Sequence, residues 1–395
     1  MEPHLFLILL GGLFLLSMLV SHLAHRLNIP RVTLLIVSGI IIGPSGLNLV
    51  NGLEQLWFPT ISNITLLVIG YLLGTKMTKI YVKKHGIAVL IVALVITAMT
   101  FLVVLLGLIA LNTPPVLAAI LAVIAVATDP TATLDVIEQN TLKNNSQFKA
   151  LLRGVVALDD ILGLLLFSIV IAILISLNAQ NASILDIFKH FLNETLGAII
   201  LGAIVGASLT FLLNRKRHNR PVFVESFGLI LLCGGIASYL SMSYLLASMA
   251  MGAVVINYAH KTRSHLHDIE LVEQPFLILF FILAGASLDL SGVSEVIYLL
   301  SAYCLFRLLG RFISGYCIPK QYIGIVKRQH LGLAFTSQAG VAMGMALVAG
   351  NQFPLYKNEI LTVAIAATVL FELTGPLLTN WSLNKNNTEA KNKEE

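Results

Sequence analysis

The chain has 395 residues, 57% of them hydrophobic and 11% charged, with a net charge of +5 and a mean hydropathy of +0.88. A soluble domain carries about 25% charged residues, so this composition excludes an ordinary soluble enzyme and places the chain in a lipid bilayer. The basic residues are spread along the chain rather than gathered in one patch, which removes nucleic acid as a partner.

A membrane span needs about 20 mostly apolar residues. Apolar runs separated by short polar breaks fall at 4–25, 31–46, 58–76, 86–111, 114–138, 150–177, 191–214, 222–240, 243–258, 274–289, 294–318, 329–350 and 358–383, thirteen in all. Glu2 precedes the first run, and the first positive charge, Arg26, follows it. That order reads as an uncleaved span entering from outside rather than a signal peptide. In alternate loops and the tail, 21 Lys and Arg lie on one side, against only Lys189 and Lys357 on the other. The positive-inside rule then expects an external N-terminus and a cytoplasmic C-terminus in the cell membrane. Cys233, Cys304 and Cys317 have no paired spacing and read as small apolar filler.

The fifth run contains AVATDPTATLDVIE. Pro130 removes a backbone donor and turns Asp129 away from the helical region. Thr128, Thr131 and Thr133 can rebond freed carbonyls or offer oxygens to an ion. The run is expected to break at mid-membrane, where irregular backbone survives only if buried in protein or reached by water. The sixth run, VVALDDILGLLLF, places Asp159 and Asp160 side by side, at about 2.5–3.5 kcal/mol of insertion cost each.

The eleventh run carries Arg307 and Arg311, one helical turn apart on one face. Glu372 lies within the thirteenth. Intramembrane charges normally pair with one another or face a water cavity. In the twelfth run, AFTSQAGVAMGMA, Ser337, Gln338 and Gly340 weaken the helix, although Gly340 and Gly344 also fit a packing face. The fifth and twelfth runs stand seven apart, so they cross in opposite directions, and the same offset pairs the sixth run with the thirteenth. This is the layout of an inverted-repeat transporter with two crossed, discontinuous helices.

These residues resemble the monovalent cation:proton antiporter superfamily, in particular bacterial sodium/proton antiporters of the aspartate-pair type. The likeness is carried by LNIPRVTLLIVSGIIIGPSGLNL, ATDPTA, the LDD pair, FILAGASLDLS and SQAGVAMG, and it runs over nearly the whole chain. It implies an all-α membrane protein of about 13 helices rather than an enzyme. The polytopic domain would span 1–383, with a moving core near 86–177 and 294–383. A scaffold near 4–76 and 191–289 would serve homodimerisation, and 384–395 would form a disordered cytoplasmic tail. Asp160 is implied as the carboxylate that binds a monovalent cation or a proton. Asp159 would be its ion-paired partner, while Thr128 and Asp129 line the crossing. The family's usual lysine on the eleventh run is replaced here by Arg307 or Arg311.

A hard monovalent cation prefers carboxylate, hydroxyl and carbonyl oxygens. Cation and proton would each neutralise Asp160, letting it pass an apolar gate that stalls the bare anion. Guanidinium does not release its proton, so an arginine holding Asp159 leaves one exchanging acid and points to an electroneutral cycle. The resemblance pulls the other way, the aspartate pair being more usual in electrogenic members. Arg307, deeper from the cytoplasmic end, is the expected partner of Asp159; Arg311 would then pair with Glu372. The leading reading is Na+ (or Li+) exchanged for H+ by alternating access, without a cofactor. A K+/H+ antiporter of the same fold is the rival, and an intramembrane aspartyl-type hydrolase leaves the arginines and the second break unexplained.

Overall fold

A backbone crossing hydrocarbon must satisfy its polar groups internally, which in a single apolar segment means a helix. The computed structural model describes residues 3–27, 29–50, 53–139, 146–178, 192–215, 223–259, 262–288, 293–319 and 331–391, and no strand occurs among them. The helices are α1 (Pro3–Leu27), α2 (Arg31–Ile42), α3 (Leu53–Thr75), α4 (Lys79–Ala110), α5 (Pro115–Ile124), α6 (Pro130–Gln139) and α7 (Ser146–Asn178). A π turn (Asn193–Gly197) leads into α8 (Ala198–Arg215), followed by α9 (Phe223–Tyr239), α10 (Tyr244–Tyr258), α11 (Thr262–Ala286) and α12 (Val293–Cys317). A 3-10 turn (Gly332–Phe335) precedes α13 (Gly340–Gln352), and α14 (Lys357–Lys391) closes the chain.

Each of the thirteen apolar runs coincides with one helix or, for the fifth and twelfth, with an interrupted one. Among the described residues, eight helices are long and apolar enough to cross a bilayer individually. The tenth run starts earlier than its apolar segment suggests, because α11 continues back to Thr262. At the other end α14 runs on to Lys391, into the segment expected to be a disordered tail. No Pro or Gly follows Pro376 in the helix to stop it.

The chain gathers into two units: Met1–Phe58, His85–Gly163 and Phe281–Glu395 in one, Pro59–Lys84 and Leu164–Phe280 in the other. Within the second unit, α10 packs closely on α3 and α8. The Cα of Gly252 lies against the Tyr71 carbonyl, and Gly74 and Gly202 meet the carbonyls of Met249 and Ala247. The small residues expected to pack in α8, Gly202 and Gly206, do so against α10.

The first unit holds both interruptions. Between α5 and α6, residues 125–129 leave the helix; between the 3-10 turn and α13, residues 336–339 do the same. The Asp129 N–H donates to the Ser337 carbonyl at 2.9 Å, so the two breaks lie against each other. Buried apolar side chains surround them on the α4, α6 and α7 side, among them Val92, Ile96, Ile137, Leu152, Val155, Val156, Phe335 and Leu383. Gly310 brings α12 onto the Thr100 backbone of α4, and Gly332 brings the 3-10 turn onto the Arg311 carbonyl.

Candidate functional site

Just past the end of α5 at Ile124, the carbonyls of residues 125–127 have no helical donors, at the negative end of the helix dipole. Two guanidinium groups from α12 meet them. Arg307 donates from Nε to the Ala125 carbonyl at 2.9 Å and from Nη2 to the Ala127 carbonyl at 2.8 Å. It also reaches the second break, donating from Nη1 to the Thr336 carbonyl at 2.5 Å and from Nη2 to Ser337 at 3.4 Å. Its guanidinium carbon lies 4.3 Å from the centre of the Phe371 ring of α14. One side chain thus fastens both interruptions.

Arg311, one turn further along, donates to the Val126 carbonyl and, at 2.9 Å, to Thr128 Oγ1. Its Nη1 stands 3.4 Å from Asp159 Oδ2 in an ion pair with both side chains fully buried. The Asp159 carboxylate also accepts the Thr128 hydroxyl on Oδ2 and the Thr97 hydroxyl on Oδ1, the latter at 3.1 Å. The expected pairing of Arg307 with Asp159 is therefore corrected: Arg311 holds Asp159. Depth along α12 is not what decides it. Arg307 faces the bare carbonyls of both breaks, while Arg311, one turn further, touches only the first break and meets Asp159 on α7.

Asp160, next on α7, is buried at 1% exposure. Successive helical residues point about 100° apart, so it shares the depth of Asp159 without sharing its direction. Asp129 closes the first break from the other end. Its Oδ2 accepts the Ala132 N–H at 3.0 Å, capping α6, and Pro130 occupies the first helical position, where its missing donor costs nothing. The side chains of Pro130 and Thr131 lie outside the described residues, while Thr133 is fully buried. Glu372 does not meet Arg311; its charged neighbour is Asp129.

At the second break, Gln338 Nε2 and the Tyr303 hydroxyl are 3.1 Å apart in a fully buried hydrogen bond. Gly340 opens α13 without a side-chain cap. Tyr303, Arg307 and Arg311, spaced by four, make one polar face of α12 that serves the second break, both breaks and the aspartate in turn. Sequence reasoning missed Tyr303 and Thr97. Tyr303 had a signal, because it precedes the two arginines at the same spacing. Thr97 had none, since a lone threonine in an apolar helix ordinarily bonds its own backbone.

A buried acid held by a guanidinium and two hydroxyls, beside a second acid on the same helix turn, can hold one negative charge fixed while the other acid binds a proton or a hard cation. Comparisons with known proteins bear on this geometry. The family model for the transmembrane sodium/hydrogen exchanger matches residues 12–385. The ammonium/H+ antiporter subunit AmhT of Alkalihalophilus pseudofirmus is 22% identical over 96% of each chain. A Na+/H+ antiporter of Enterococcus hirae is 23% identical over 92% of this chain and 94% of its own. Among solved structures, the sodium proton antiporter MjNhaP1 of Methanocaldococcus jannaschii superposes with a TM-score of 0.70 at 19% identity, covering 96% of this chain and 97% of its own.

Proposed function

We propose, given that this chain belongs to the sodium/hydrogen exchanger family, that it exchanges sodium for protons at Asp160 by alternating access. The observation that carries this reading is the engagement of Asp159 by Arg311, Thr97 and Thr128. Three donors, one of them permanently cationic, keep Asp159 an anion. A second negative charge beside it would be expensive in hydrocarbon, so Asp160 is neutralised by a proton or a cation, one excluding the other. A carrier that moves only when this acid is neutral exchanges one ion for the other. With Arg311 fixed in its charge, only Asp160 exchanges, and the cycle is electroneutral.

The same oxygen donors suit ammonium, and a relative aligned over nearly the full length is named for it; the relatives' names favour sodium or ammonium over potassium. The charge asymmetry of the loops supports an external N-terminus in a plasma membrane. The test is reconstitution in liposomes holding a pH-sensitive dye, with Na+, Li+, K+ and NH4+ added in turn. Sodium is expected to release internal protons, and Asp160→Asn to abolish that release while the protein remains folded. Release that survives in Asp160→Asn would place the exchanging group elsewhere. Release with ammonium alone would replace sodium as the cargo.

A further inference from the structure

The exchange reading leaves Glu372 without a task. This side chain is 6% exposed on α14, and its Oε2 has no hydrogen-bond partner among the described residues. The cations nearest in the fold are committed: Arg307 to carbonyls of both breaks and Arg311 to Asp159 and the α5 end. The charged group that acts on Glu372 is another acid, Asp129 at the start of α6, itself 8% exposed. A third oxygen lies beside them. The Ser337 carbonyl accepts the Asp129 N–H, and the Ser337 side chain rests against Gly375, one turn along α14 from Glu372. The Ser337 hydroxyl is fully buried and has no hydrogen-bond partner among the described residues.

Among the described residues, the other elements packed on α14 supply no compensating cation. Neither α5, α13 nor the 3-10 turn contains an ionisable residue, and the single charge of α2, Arg31, is exposed at its start. Further along, α6 carries only acids, Asp135 and Glu138. An isolated buried carboxylate neutralises itself rather than remain bare, and two neighbouring acids titrate as a unit. Asp129 has the better claim to the negative charge, because it caps α6 at the positive end of that helix dipole.

We infer that Glu372 and Asp129, with the Ser337 hydroxyl, form a second proton-binding site at the helix crossing, separate from the Asp159–Asp160 pair. The site holds one proton during exchange and loses it under alkaline conditions. The loss puts two repelling anions where the Asp129–Ser337 hydrogen bond joins the breaks, loosens the crossing and slows transport. The inference rests on the exchange reading for its link to transport and not for the presence of the proton.

The test uses two neutral replacements, Glu372→Gln and Glu372→Met, in the full chain. Infrared spectra of protein labelled at the glutamate carboxyls should show a protonated carboxylic acid band at neutral pH. The Glu372 component of that band, read from the wild-type-minus-variant difference, should be lost in both variants, kept in Asp160→Asn, and unaffected by sodium. In liposomes both variants should exchange at wild-type rates near neutrality, with the alkaline limb of the rate profile moved up by about one pH unit. Three results would each overturn the inference: no such band in the wild type, an unmoved alkaline limb, or loss of folding or exchange in both variants, which would mean a charged Glu372 is required. Failure of the exchange reading looks different: the wild type would not exchange, or Asp160→Asn would, with the infrared band still present.

Discussion

At the scale of single residues, the two arginines of α12 are both fully buried, yet their environments differ in kind. Arg311 faces an anion, and removing it leaves Asp159 charged with only hydroxyl donors. Breaking a buried pair this way costs about 3–5 kcal/mol, whereas removing both charges together is often neutral. Arg311→Ala should therefore unfold at markedly lower temperature in detergent, and Arg311→Met combined with Asp159→Asn should recover most of the loss. Arg307→Ala removes no ion pair, so Asp159→Asn should not rescue it. Equal rescue of both arginine variants in thermal melts would show that the pairing is misassigned. Charge in an apolar run made these residues visible in the sequence. Which arginine serves which partner was not visible, because that depends on where α5 stops and on the side of α12 that α7 approaches.

The helices themselves were legible, since hydrocarbon leaves the backbone few alternatives, and both interruptions fell where proline or the Ser-Gln-Ala-Gly stretch weakens the helix. Less legible was how the interruptions are held, because their partners come from α4, α12 and α14, far away in sequence. Gly375 is one of those partners. A Cβ there would collide with the side chain, Cα and amide nitrogen of Ser337 at the second break. Backbone cannot step aside as a flexible side chain can, so Gly375→Ala should destabilise by about 1–3 kcal/mol and lower the exchange rate. Gly11→Ala makes a fair comparison, with nothing within 4 Å of the added carbon; its stability should stay within about 0.5 kcal/mol of wild type. If the two alanine variants melt alike, the close approach of α14 to the break is not part of what keeps the crossing together.

For the molecule as a whole, the arrangement separates fixed from exchangeable charge. Arg307 and Asp129 answer the opposite ends of the broken helices, and Arg311 cancels Asp159; none of these needs to change state during a cycle. In the proposed cycle Asp160 is the acid left to carry cargo, and competition there would fix how the carrier answers pH. A cation that displaces one proton binds more weakly as pH falls, since the proton-bound form must first release its proton. Linkage makes the effect reciprocal, so sodium should release one proton for each ion bound. In the acidic range the apparent sodium affinity should fall about tenfold per pH unit, and it should level off once Asp160 is ionised in the empty carrier. If one charge enters for each that leaves, a potassium diffusion potential of either sign should not alter the exchange rate at saturating sodium. Calorimetry in buffers of different ionisation enthalpy reads the proton count, and valinomycin-clamped liposomes read the voltage response. Two protons per cation, or a rate that follows the imposed potential, would mean that Asp159 also gives up its charge and that Arg311 does not hold it through the cycle.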